Sequence, residues 1–165
     1  MGRYVLTREI AAMPDQVFRA FTEPKLVADW MDAAAVVDDT GPLDVAGNTY
    51  TLVIRGPWRF RTTVVRVERP WVHETFGQGP LGTTVRIVAT LSTSTAGTGL
   101  QLLTDYTMPL GILGRWIDRR WIDREPRSVA NRELDRLVEL VTETPSGETR
   151  NVEGDQLMAE SPASH

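Results

Sequence analysis

A chain of 165 residues is long enough for one well-buried core and short for two domains. Apolar residues make up 41% and charged residues 24%, the balance of a water-soluble globular protein. No apolar run approaches the roughly 18 to 20 residues that span a bilayer, and the lack of cysteine removes disulfides, thiol nucleophiles and thiolate metal sites. The net charge of −4 is unevenly placed, because Glu148, Glu153, Asp155 and Glu160 stand against Arg150 alone in the last 22 residues. The rest is close to neutral, which argues against a nucleic-acid surface, since that needs clustered positive charge.

The opening Met1-Gly2-Arg3-Tyr4 lacks the charged head and apolar stretch of a secretory signal. Leu6 stands where a myristoylation pattern needs Ser or Thr, so a cytoplasmic protein is the expectation. Residues 3–12 alternate as a first strand. Pro14 then opens a helix with Val17, Phe18 and Phe21 at helical spacing. Thr22-Glu23-Pro24 interrupts it, and a second short helix carries Leu26, Val27, Trp30 and Met31 on one face.

Segments 34–38, 49–55, 58–68, 71–78, 83–93 and 99–108 are rich in Val, Ile, Thr and aromatics and read as strands. Gly41-Pro42, Gly56-Pro57, Arg69-Pro70, Gly79-Pro80-Leu81-Gly82 and Ala96-Gly97-Thr98-Gly99 supply turns between them. Short connections favour an antiparallel meander over βαβ units. From Gly111 the chain turns helical, and Pro126 divides it into segments near 112–125 and 127–143. The second carries Leu134, Leu137, Val138 and Val141 on one stripe. Residues 144–165 shift to Pro, Ser, Gly and acids and read as a disordered tail after a 1–143 domain. The fold class is therefore α+β, a curved sheet with a long helix over its concave side.

The stretch MPDQVFRAFTEPKLVADWM (13–31) resembles the opening helix pair of the START-like, or SRPBCC, superfamily, which includes Bet v 1-like and polyketide cyclase/dehydrase-type proteins. Pro14, Asp15, Val17, Phe18, Glu23, Pro24 and Trp30 occupy the slots of that pattern. VVRVERPWVHETF (64–76), AGTGLQLLTDYTMP (96–109) and ANRELDRLVELVTE (130–143) resemble its mid-sheet turn, last hairpin and closing helix, in the same order. Met13 departs from the small capping residue usual there and leaves the first helix without a side-chain N-cap. The resemblance implies a helix-grip fold, with seven antiparallel strands around a C-terminal helix, and a cavity for lipids, sterols, polyketides or similar ligands. It fixes no activity, since members include carriers, cyclases, dehydratases and co-chaperones.

Candidate chemistry is sparse. His73 and His165 are the only histidines, which with no cysteine argues against a zinc or non-haem iron site, and no cofactor is expected. His73 reads as a strand residue without a catalytic role. Glu74 shares a face with Val72 and Phe76; were that face concave, desolvation would raise its pKa and make it an acid, a base or an anchor for a polar head. A bulge would turn it outward instead. Tyr106 shares a face with Leu100, Leu102, Thr104 and Met108, where its hydroxyl either meets ligand or is satisfied in the core.

Arg59 and Arg61 alternate with Trp58 and Phe60, so one pair faces inward, and Arg61 is a candidate ligand contact with its face undecided. Trp30 is placed at the pocket edge, with core packing as the bland alternative. Trp116 and Arg120, one turn apart, offer an aromatic wall and an anion-binding head. Against that, Arg119, Asp123 and Arg127 form an ordinary i,i+4 ion-paired face. The surplus aromatics near Trp116 and Trp121 would otherwise serve a homodimer contact.

Three readings follow. The first is a binding module for a small hydrophobic molecule. The second is a cofactor-independent polyketide cyclase or dehydratase using Glu74, Tyr106 and either His73 or Arg61. The third is a co-chaperone-like or antitoxin-like interaction module.

Overall fold

In a computed structural model of the chain the described residues are 1–31, 33–54, 58–107 and 126–143. Trp116, Arg120, Trp121, the helix expected over 112–125 and the tail from 144 lie outside them. Strands β1 (Gly2–Ile10), β2 (Ala33–Val37), β3 (Thr49–Ile54), β4 (Arg59–Glu68), β5 (Val72–Gln78), β6 (Thr84–Ser94) and β7 (Gly97–Thr107) form one open, curved antiparallel sheet. Their spatial order is β1-β7-β6-β5-β4-β3-β2, so β2 to β7 run as a meander and β1 closes against β7. Helices α1 (Pro14–Thr22) and α2 (Pro24–Trp30) follow β1, and α3 (Pro126–Glu143) ends the described chain. This is the helix-grip arrangement that the family resemblance implied.

The helix pair is built from prolines at two first turns, where a missing N–H costs no helical bond. Met13 makes no side-chain cap, as its chemistry requires, but the Gln16 side chain accepts its backbone N–H at 2.9 Å. The α1 face of Val17, Phe18, Ala20 and Phe21 is buried. The β6–β7 hairpin is tighter than expected, since β7 begins at Gly97 and only Thr95-Ala96 turn. Gly97 has φ +132°, and a Cβ there would stand 2.5 Å from the Ile10 carbonyl oxygen, so the close crossing of β1 demands glycine.

Two core clusters share the concave face. In the larger, Ala130, Leu134, Leu137 and Val141 of α3 pack on Leu6, Ile10, Leu100 and Leu102 and on the α1 residues Val17 and Phe18. Arg8 of β1 reaches up to α3, bonding Asp135 at 3.0 Å and Asn131 at 3.1 Å. The smaller cluster joins Val27 of α2 and Leu43 to Tyr50, Leu52 and Val64. A bulge between Val64 and Arg66 shifts the β4 alternation, so Phe60, Thr62, Val64 and then Val67 point to the core.

Candidate functional site

Between the two clusters lies a cavity of about 100 Å³. Phe21, Val27, Trp30 and Met31 form its roof from the helix pair, and β3 to β6 form its floor. The floor follows from the register: Tyr50, Thr62, Gly77 and Val85 stand opposite one another across four strands, and Thr75 stands opposite Ile87 in the next row. Leu52, Ile54 and Phe60 close one end and His73 the other side. Gly77 makes room at the centre, since a Cβ there would press on the Thr62 hydroxyl at 3.3 Å.

The polar equipment of this apolar space is small and buried. The Tyr50 hydroxyl lies near the Thr62 and Thr75 hydroxyls, and burial outweighs their influence and pushes its pKa up to about 12. It stays protonated at any physiological pH. His73 sits edge-on to Phe18, with ring centroids 6.0 Å apart, and its Nε2 is 2.8 Å from the Leu43 carbonyl oxygen. A carbonyl only accepts, so Nε2 carries the proton and Nδ1 of the neutral ring keeps its lone pair. Burial holds the His73 pKa below its ordinary value, with the Leu43 bond and the nearby Asp44 charge acting the other way. Trp30 donates its indole N–H to the Ala20 carbonyl at 2.8 Å and packs edge-on against Phe21, which fixes the roof.

The profile of the family described as polyketide cyclase/dehydrase and lipid transport matches residues 1–142. The chain belongs to this family. Among solved structures of the same fold is protein MLL2253 of Mesorhizobium loti, 17% identical with a TM-score of 0.68, covering 87% of this chain and 99% of its own. Protein Ms6760 of Mycobacterium smegmatis is 17% identical with a TM-score of 0.59, covering 87% of this chain and 92% of that one. DynU16, a protein of the dynemicin biosynthetic locus, is 18% identical with a TM-score of 0.59, and covers 86% of this chain and 47% of its own. At such identities the likeness establishes the fold alone. No curated protein matches the sequence.

Set on the fold of the polyketide cyclase/dehydrase family, the residues singled out from sequence scatter. Trp30 lies in the cavity wall. Glu74 does not, because on β5 it is His73, Thr75 and Gly77 that face inward. Val72 and Phe76, apolar as they are, share the outer face with it. There the Glu74 carboxylate, buried beside the sheet, pairs with Arg86 of β6 at 2.8 Å. Arg61 is likewise on the outer face and exposed, because Phe60 and Thr62 take the inner positions. Tyr106 has the expected inward parity but stands beyond Val85, with its ring lying over Gly2 and 6.2 Å from the Tyr4 ring, and it does not line the cavity.

The inner polar residues Tyr50, Thr62 and Thr75 carried no sequence signal except parity. Tyr50 shares the inner face of its strand with Leu52 and Ile54, so its alternation with Thr49 and Thr51 was the one signal available. Among the described residues no group of three His, Cys, Asp or Glu is placed to hold a metal. No helix among them is long and apolar enough to cross a membrane.

Proposed function

We propose that the protein binds and carries a small, largely apolar molecule in the cavity between the helix pair and β3 to β6. The observation that carries this reading is the composition of the wall: nine purely hydrophobic side chains surround a few hydroxyls and one neutral imidazole. Such a lining matches the general character of small-molecule pockets, apolar with few oriented polar groups. Its volume of about 100 Å³ is that of a single ring or a short chain segment, since an engineered apolar cavity of roughly 150 Å³ takes up benzene. Membership of a family described by both cyclase and lipid-transport roles supports a ligand in this place. The match ending at residue 142 supports treating 1–143 as the working unit.

The runner-up is a cofactor-independent cyclase or dehydratase, and one observation favours it. His73 presents a neutral imidazole inside a water-poor space, the state in which a histidine acts as general base. In this version Glu74 and Arg61 drop out and His73 takes the chemistry, with the Tyr50 hydroxyl as a donor. The interaction-module reading rests on Trp116 and Trp121, which lie outside the described residues.

Native mass spectrometry of the protein purified from its own host tests the first reading, together with thermal shifts in a panel of aromatic and aliphatic probes. A co-purified apolar molecule, or a probe that raises Tm in proportion to the logarithm of its concentration, is the expected result. A protein that is ligand-free and indifferent to the whole panel would refute it. Turnover of an aromatic polyketide that His73→Gln abolishes, with binding retained, would instead establish the enzyme.

A further inference from the structure

The polar groups of the cavity say more than that it is apolar. We infer that the preferred ligand is a neutral molecule that buries one hydroxyl or N–H donor against His73 and Thr75, and not a carboxylate or a bare hydrocarbon. The inference rests on the cavity being the binding site and names the class of molecule that fits it.

His73 is fixed in one tautomer by the Leu43 carbonyl, so what it offers to a visitor is the Nδ1 lone pair, an acceptor. Nδ1 has no hydrogen-bond partner among the described residues, and the side chain that carries it lines the cavity. Thr75 lies two residues along the same strand face, its Cα about 7 Å away. Its hydroxyl belongs with those of Tyr50 and Thr62, of which Thr62 donates to the Phe60 carbonyl at 3.4 Å. A hydroxyl placed between them donates to Nδ1 and accepts from Thr75.

The same wall disfavours an anion. No Lys or Arg lines the cavity among the described residues, and the buried imidazole is neutral. A carboxylate brought there would lose its hydration without gaining a counter-charge from the described wall, and such burial is costly. A ligand with no donor is not repelled, but it leaves the Nδ1 acceptor unsatisfied beside apolar atoms. A small alcohol, phenol or amide end satisfies all three conditions, and the rest of the molecule packs against Phe21, Trp30, Phe60 and Ile87.

Three ring probes of similar size separate these claims: toluene, phenol and benzoate, with binding read by calorimetry or by competition against a fluorescent apolar dye. Phenol should bind at least as tightly as toluene despite its greater cost of leaving water, and benzoate more weakly than either. His73→Phe should lower the phenol-to-toluene affinity ratio about tenfold, and Thr75→Val, which keeps shape, should lower it in the same direction. Imidazole ¹⁵N spectra should report an Nε2–H tautomer whose Nδ1 resonance shifts with phenol and not with toluene. Toluene binding without phenol binding would overturn the inference and leave the cavity reading standing, and benzoate binding above phenol would overturn it as well. Failure of all three probes to bind would overturn both. Where His73→Phe fails to fold, the wild-type series, Thr75→Val and the nitrogen spectra still decide.

Discussion

At His73 two demands meet on one ring. Nε2 ties β5 to the buried Leu43, while the residue also lines the cavity. Charging it would put a buried cation beside Phe18 and Phe21, which the Asp44 charge only partly offsets. Its folded pKa lies below the unfolded value of about 6.5, so the unfolded chain binds more protons in acid. The corresponding stability is complete at neutral pH and is lost as pH falls below about 6.5 and through the folded pKa. His73→Gln, which can still donate to Leu43, should flatten the drop in urea-unfolding stability between about pH 7 and 5. An unchanged slope would place the acid sensitivity elsewhere. The sequence named this histidine and its strand but not its direction, which one residue of register decides.

Whole elements were far more legible than single side chains. The prolines at the starts of α1 and α2, the alternating strands and the Leu134-Leu137-Val141 stripe all left local signals, and the elements fall close to where those signals put them. Facing direction was not legible on β4 and β5. The apolar pair Val72 and Phe76 sits on the outer face around the Glu74–Arg86 bridge, and the bulge after Val64 reverses the β4 alternation. Both depend on pairing between strands, which periodicity in one strand does not encode. On α3 the prediction is local: Leu134 is fully buried in the larger cluster. Leu134→Ala should therefore cost roughly 2 to 5 kcal/mol in chemical denaturation. A loss below about 1 kcal/mol would mean that α3 does not seal the sheet.

For the molecule as a whole, the helix-grip shell was readable because order and spacing of elements are chain-wide patterns, and the family match over residues 1–142 agrees with it. The lining of the cavity was not readable, because it is assembled from six elements at once. Its occupancy can be blocked from the floor. Ile87→Trp adds bulk where Ile87 faces Phe21 and Trp30 across the space, and should abolish probe binding. The fold should survive at a cost of about 1 to 3 kcal/mol, the usual penalty of overpacking. Retained binding in a folded Ile87→Trp protein would move the site away from this cavity.

The two core clusters meet around that space rather than through it. Filling a cavity of about 100 Å³ is worth on the order of 2 kcal/mol of packing. A guest molecule would thus act as the core residue that the chain does not encode, joining the helix-covered half of the sheet to the half under α2. Amide hydrogens of β3, β4 and β5 should then exchange more slowly in step with those of α3 only when the guest is present. The protein's cooperativity, and not just its melting point, becomes a measure of whether it is loaded.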